Sequence, residues 1–385
     1  MHHRTGRVLS AAALATAAAT VVGVSSASAA PSPAASPARP AAPRTSTHMA
    51  AAYGGYPLHI RTLTTDVVGP LQIAVGRHGV YVADAFAGVL KRVGVKKPLF
   101  TAPKGYEVAG VDVGKDGSVA FTWGNQEKHV FYLTVLRHGK KVLTADLGRF
   151  ERKYNPDKRV TYGALTNNKK CLDELAKATG GPGQYKGLVD THAYAVKAVR
   201  GGWVVADAAG NDLLLVNRRA RVSLLKLLPP QPVKITAMAA AAFGAPNCVG
   251  VTYNFEAVPT DVEQGRDGRL YVTTLPGGPE ADSPLGPRGS VWRLDSRGRH
   301  LTRLATGFAG ATNLAITTSG RILVAELFAN RISTIDHRRP APVIDLPGVA
   351  SVEFANHRIY AGQTAPFGPT GPAGNGKVVT IGVRW

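Results

Sequence analysis

Acidic residues are scarce in this chain: 25 Asp and Glu stand against 46 Lys and Arg, a formal charge of +21. Cysteine is scarcer still, with two in 385 residues, which allows one bridge and no disulfide framework. Catalytic signatures are missing. G-x-S-x-G, H-E-x-x-H and the Walker A pattern are all absent, which argues against the commonest hydrolases. Residues 180–187, GGPGQYKG, are glycine-rich but follow no strand, so a phosphate loop is not expected there. No basic helix and no basic motif interleaved with aromatics is present, so nucleic acid is not an expected partner. Beyond the N-terminus no apolar run approaches the ~18 residues of a membrane span. The 44% hydrophobic content is nevertheless ample for a buried core.

What the chain does have is a repeated strand–turn–strand pattern. It is clearest in residues 258–294, where a D-G turn at Asp267-Gly268 separates two short apolar runs. Related stretches are LQIAVGRHGVYV (71–82), GVDVGKDGSVAF (110–121), YAVKAVRGGWVV (194–205), TNLAITTSGRILV (312–324) and SVEFANHRIYA (351–361). Their turn positions are Gly79, Gly117, Gly202, Gly268, Gly320 and His357, at steps of 38, 85, 66, 52 and 37 residues. A base period near 38 with insertions suits a four-stranded propeller blade. The expected fold is therefore all-β, a six-bladed β-propeller with two short helical insertions. The insertions run over 148–190 and 229–254. The first contains KKCLDELAKAT, preceded by capping Asn167-Asn168 and ended by Gly180-Gly181; the second contains ITAMAAAAFGAP. A strand at 58–64 is expected beside the C-terminal run 377–383, which closes the ring.

The first 29 residues read as a secretory signal peptide: Arg4 and Arg7, an alanine-rich apolar run, then the A-x-A site at Ala27-Ser28-Ala29. Residues 30–50 are Pro/Ala/Ser-rich and read as a linker, leaving 51–385 for the propeller. The protein is expected to be secreted and monomeric, with no transmembrane segment. In an oxidising compartment Cys171 and Cys248 are expected to pair, which would tie the two insertions together. The basic residues fall in short groups such as Lys96-Lys97, Lys140-Lys141 and Arg218-Arg219. They read as a solvated basic exterior or as a surface for an anionic cell-wall polymer.

Antiparallel connectivity gathers two sets of loops at one end of such a fold. Gln72, Asp190, His192, Asp261 and Asn313 are expected before first strands; Asp84, Asp207, Asn211, Glu326 and Gln363 after second strands. With Glu256 they would surround a channel mouth, where acidic and amide side chains suit an unknown small ligand or a secreted protein partner. They have the oxygen chemistry that Ca²⁺ prefers. The alternative is that Asp84, Asp207 and Glu326 simply close turns by bonding backbone N–H groups.

The stretches FEAVPTDVEQGRDGRLYVTTLPGGPE (255–280), RGSVWRL, ATGFAGATNLAI, ILVAELFANRIS and GGWVVADAAGNDLLLVN resemble the ScyD/ScyE-type secreted β-propeller family, over roughly residues 58–383. The resemblance implies an NHL-like six-bladed propeller without an established reaction. Wider relatives, the lactonases and gluconolactonases, hold a divalent metal at the channel mouth through Glu, Asn and Asp. By that resemblance Glu256, Asp261 and Asn313 would be the metal set here. The functional expectation is ligand or partner binding at the mouth. The alternatives are a metal-dependent, lactonase-like hydrolase and a structural cell-surface module.

Overall fold

The computed structural model describes residues 58–280, 283–368 and 371–382. The expected signal peptide and linker lie outside the described residues. The fold is built from seven four-stranded antiparallel sheets and one two-stranded hairpin. Six of the seven follow one another along the chain. Their first strands are Pro70–Gly76, Glu107–Val113, Ala193–Val199, Pro259–Gln264, Ala311–Ile316 and Val349–Ala355. Each first strand packs against those of the sheets before and after it, and Val349–Ala355 packs back on Pro70–Gly76. These strands are the most buried because each touches neighbours on both faces. Between the third and fourth sheets, for example, Val204, Leu213, Val262 and Val272 form one solvent-excluded cluster. Apolar runs such as LQIAV read as central strands for this reason.

The sixth sheet joins the two ends of the chain. His59–Val67 pairs with Gly376–Gly382, setting His59 opposite Gly382 and Thr62 opposite Val379. The expected closure pairing is therefore present, with a longer N-terminal strand than the sequence pattern defined.

Every first strand carries a register shift close to its start, as between Pro70 and Gln72, Pro259 and Asp261, and Ala311 and Asn313. A bulge re-aims the side chain that follows it. Gln72, Asp261 and Asn313 consequently sit within strands and point toward the shared centre, not in loops as expected. The hairpin turns behave as their glycines require: Gly117, Gly268 and Gly320 have φ of 78°, 75° and 83°. In the third sheet the positive φ belongs to Gly201 (95°), one residue before the expected Gly202.

The two insertions contain more than the expected helices. The first holds α1 (Leu147–Tyr154) and α2 (Lys169–Thr179); the second holds α3 (Ala237–Ala242). α2 begins and ends where its caps say: Asn168 Oδ1 accepts from Lys170 N, and Gly180 closes it in the left-handed region. α1 was not foreseen. It is two turns long, capped by Asp146, whose side chain accepts from Arg149 N at 2.8 Å. The insertions also share the seventh sheet, ordered Gln184–Lys186, Thr161–Ala164, Thr252–Phe255, Gln231–Lys234. The Cys171–Cys248 disulfide, with Cα atoms 4.9 Å apart, fastens α2 to the second insertion.

Candidate functional site

Within each of the six sheets the chain reverses at alternate ends. Turns between strands one and two and between strands three and four lie at a hairpin end. The connections between strands two and three, and between successive sheets, lie at the opposite loop end. Both insertions belong to the loop end, since they connect the second sheet to the third and the third to the fourth.

Three of the expected residues occupy equivalent places on the loop end and do the same thing. Asp84, Asp207 and Glu326 each terminate a second strand. Asp84 accepts from Val68 N (3.1 Å) and Gly69 N (2.8 Å). Asp207 accepts from His192 N (2.7 Å), Gly210 N (3.1 Å) and Thr191 Oγ1 (2.5 Å). Glu326 accepts from Ala309 N (2.7 Å), Arg331 Nε (2.8 Å) and Ser333 Oγ. Each carboxylate thus anchors the backbone that enters the neighbouring first strand, as short acidic side chains do in turns. Gln363 does so through its amide, donating Nε2 to Pro347 O at 2.6 Å.

A second group meets at the centre. Asn313 Nδ2 donates to Asp261 Oδ2 (2.8 Å) and Gln72 Oε1 (2.9 Å), while Asn313 Oδ1 accepts from Val352 N (2.6 Å). Gln72 Nε2 reaches Thr260 O at 3.2 Å, and Asp261 Oδ2 also accepts from Leu314 N at 2.9 Å. A hydroxyl series stitches the same layer: Thr260 to Ala311 O, Thr312 to Ala350 O and Ser351 to Pro70 O, at 2.7–2.8 Å. Burial, then the nearby Glu263 charge, pushes Asp261 well above the usual carboxylate pKa range. One layer further along, Lys197 Nζ lies 3.3 Å from Asp112 and 2.7 Å from Glu263, with Glu353 also within its field.

The third group is the candidate site. It sits at the loop end of the third sheet, beneath the insertions, and unites Asp190, His192, Asp207, Asn211 and Glu256 from the expected set with Glu107, Glu151, Asp157, Tyr162, Tyr185 and Asp212. His192 Nε2 lies 2.8 Å from Glu107 Oε1. His192 Nδ1 and the Tyr194 hydroxyl are buried without a protein partner. Asp190 holds His129 Nδ1 (3.1 Å) and Gln126 Nε2 (3.3 Å). Asp157 Oδ2 accepts from Tyr162 OH (3.0 Å) and Asn211 Nδ2 (3.2 Å), and Tyr185 OH donates to Glu256 Oε1 at 3.0 Å.

The electrostatics of this group are one-sided. Burial first, then Asp207 and Asp157, pushes Glu151 up to about 9. Burial raises Asp157 to about 6 against the pull of its two hydrogen-bond donors. Burial raises Glu256 to about 8, with Asp157 and Asp190 adding to the rise. Asp212 is driven well above its ordinary value by burial, then by Asp207, Glu151 and Asp157. His192 is pulled down by burial, but Glu107, Asp207 and Asp190 together hold it above its usual value. No Lys or Arg is among the main influences on Glu151, Asp157, Asp207, Asp212 or Glu256. Both Asp212 oxygens, Glu151 Oε1 and Asp157 Oδ1 are buried without a donor.

The three residues expected to hold a metal do not form one set. Asp261 and Asn313 bond each other at the centre, while Glu256 bonds Tyr185 of the seventh sheet. Among the described residues, no group of three or more His, Cys, Asp and Glu side chains is placed to hold a metal ion. Of the residues sequence reasoning missed, Asp212 had a signal: it faces Asp207 across the A-D-A-A-G-N-D turn. Glu151 and Asp157 had none, because only the docking of α1 on the second sheet brings them in.

No family model matches the chain, and a search of the curated proteins finds no match. Among solved structures the chain is similar to virginiamycin B lyase from Staphylococcus aureus, at 13% identity and a TM-score of 0.46, covering 85% of this chain and 99% of that one. It is similar to the gluconolactonase XC5397 from Xanthomonas campestris at 11% identity and a TM-score of 0.48, covering 88% and 94%. It is also similar to a chain of a nidogen/laminin complex at 10% identity and a TM-score of 0.43, covering 73% and 84%.

Proposed function

We propose that the chain is a secreted six-bladed β-propeller of the ScyD/ScyE type, and that its loop end binds a small ligand rich in amine or hydroxyl donors. The observation that carries this reading is the carboxyl cluster under the insertions. On a chain of net charge +21, this is where acids gather without a Lys or Arg partner, and its free atoms are mostly acceptors. A ligand that carries positive charge, or that donates hydrogen bonds to these oxygens, would take the place of their protons. Asp190 and Glu256 stand at the edge of the cluster, each less than a tenth exposed, and the insertions form its roof.

The test is a melting-temperature panel of putrescine, glucosamine and glucose against citrate and gluconate. The donor-rich compounds are expected to raise the melting temperature by mass action. Asp190→Asn combined with Glu256→Gln should remove that rise. A rise with the anions alone would contradict the reading.

One pair favours a second reading, hydrolysis of an ester or lactone. A carboxylate that orients an imidazole, as Glu107 does His192, is the arrangement of a general base. His192→Asn should then abolish turnover across a lactone panel while the β-sheet circular-dichroism spectrum of the parent is kept.

A further inference from the structure

The hairpin end carries nearly all of the charge excess. Its eleven turns span residues 76–79, 92–100, 113–119, 137–141, 199–202, 217–222, 264–270, 294–302, 316–322, 336–339 and 355–358. They contain 20 Lys and Arg against four Asp and no Glu, a net +16 out of +21 for the chain. Every one of these basic residues except the half-buried Arg92 is exposed. The connections at the loop end are the counterpart. Residues 84–89, 101–107, 125–130, 146–193, 207–212, 227–259, 274–289, 326–331 and 345–349 contain 14 Lys and Arg against 16 Asp and Glu, a net −2.

Two contacts show that the basic turns of neighbouring sheets meet on one surface. Arg77 Nη2 donates to Lys115 O between the first and second sheets, and Arg338 Nη2 donates to Arg303 O between the fifth and fourth, both at 3.3 Å. The four acids do not neutralise the surface. Asp116, Asp267 and Asp295 pair with Arg137, Arg269 and Arg299 of the same end, and Asp336 lies beside His337. Between the strands these turns consist of Lys, Arg, His, Gly and other small or polar residues, with a few aliphatics at 93–99, Leu301, and no Phe, Tyr or Trp. They offer charge at many points, imidazole as the one kind of aromatic ring within the turns, and no large aromatic wedge for a bilayer.

The geometry points to the hairpin end as a docking surface for a linear polyanion of closely spaced phosphates: 15 of the 20 basic residues are Arg, whose planar fork meets phosphate oxygens two at a time. So much like charge on one face repels itself and lowers stability unless a partner relieves it. A flexible polyanion can follow the ring of turns and touch several sheets at once, and each contact releases counterions. The surface is separate from the loop-end site, so the two readings fail independently.

The experiment is fluorescence anisotropy of labelled polyphosphate and of labelled poly-L-glutamate with the full chain, over a range of salt. Binding should weaken by ~100-fold or more between about 50 and 200 mM salt, as multipoint ionic binding does. Polyphosphate should bind the more tightly, and tighter binding of poly-L-glutamate would overturn the assignment to phosphate. The variant Lys96→Glu/Lys97→Glu/Arg218→Glu/Arg219→Glu should lose binding by at least ~100-fold at low salt. The equal charge change at the loop end, Lys158→Glu/Arg159→Glu/Lys169→Glu/Lys170→Glu, should alter it by less than ~3-fold. The corresponding four-fold Gln variants should show the same order, and none of the variants should melt below the parent. Equal losses from both ends would overturn the proposal by reducing it to net charge. So would tighter binding to phosphatidylglycerol vesicles than to either polymer, or no binding to either polymer at low salt.

Discussion

Arg218 and Arg219 stand in water on a turn of the third sheet; at the other end of the same strands Asp207 and Asp212 are 1% exposed. The strands between them are ordinary: Val204 to Ala206 against Leu213 to Leu215, in unbroken register. The difference comes from what each end must do for the backbone. At the hairpin end a turn of a few residues, with a left-handed glycine, histidine or asparagine, satisfies itself locally and leaves its side chains to solvent. At the loop end the chain must cross to the next sheet, and acids are drawn inside to hold the N–H groups of the crossing segment. Once Asp207 serves as an anchor, the insertions can cover it and add further acids. A surface charge and a buried charge in one short stretch therefore answer to different physics: screening for the first, desolvation for the second.

Mutations of buried and of exposed groups should diverge accordingly. The largest effect is expected where a buried cation is removed. Lys197→Met leaves Asp112, Glu263 and Glu353 facing one another and should destabilise by ~3–5 kcal/mol, whereas Arg218→Met should stay within ~0.5 kcal/mol; chemical denaturation measures both. Next comes the Cys171→Ser/Cys248→Ser pair. The bridge closes a loop with a sequence separation of 77. Its loss should destabilise by up to ~4 kcal/mol on the chain-entropy view, with hydrogen exchange rising in the insertions and not in the hairpin turns. Asp207→Ala strands the N–H groups of His192 and Gly210 and should destabilise by ~2–3 kcal/mol. Gly268→Ala, at φ 75° with open space where its Cβ would stand, should destabilise by only ~1 kcal/mol. If the changes in exposed turns matched the buried ones in size, the contrast would be lost.

Much of the sheet architecture was legible because its signals are local. The D-G and related turns, the alternating runs around them and the pairing of the chain ends follow from period-two patterning and from the need to bury an edge. α2 was legible through Asn168 and Gly180. The seventh sheet was not, because Thr161–Ala164 and Gln231–Lys234 are short and find partners only across the insertions. The site was legible in part. Asp190, His192, Asp207, Asn211 and Glu256 do share one end, as connectivity required. Gln72, Asp261 and Asn313 share it too, but a bulge turns them onto one another, and no pattern in a single sequence marks a bulge. Glu151 and Asp157 were beyond reach, since their place depends on the docking of a helix that itself was not foreseen.

The account rests on the carboxyl cluster under the insertions, where Glu151, Asp157, Asp212 and Glu256 are raised with no Lys or Arg among the causes, and thermal unfolding across pH tests that most directly. Glu151, Asp157 and Glu256, raised to about 9, 6 and 8, hold protons in the folded state that the unfolded chain has released. Stability from these groups is greatest near the unfolded carboxylate pKa and is lost as pH rises through the folded values. His192, raised above its ordinary value, adds a loss of the same sign. The melting temperature should fall by ~5–10 °C between about pH 5.5 and 9, and Glu151→Gln should flatten the fall. A melting temperature that holds steady or climbs over that range would contradict the account.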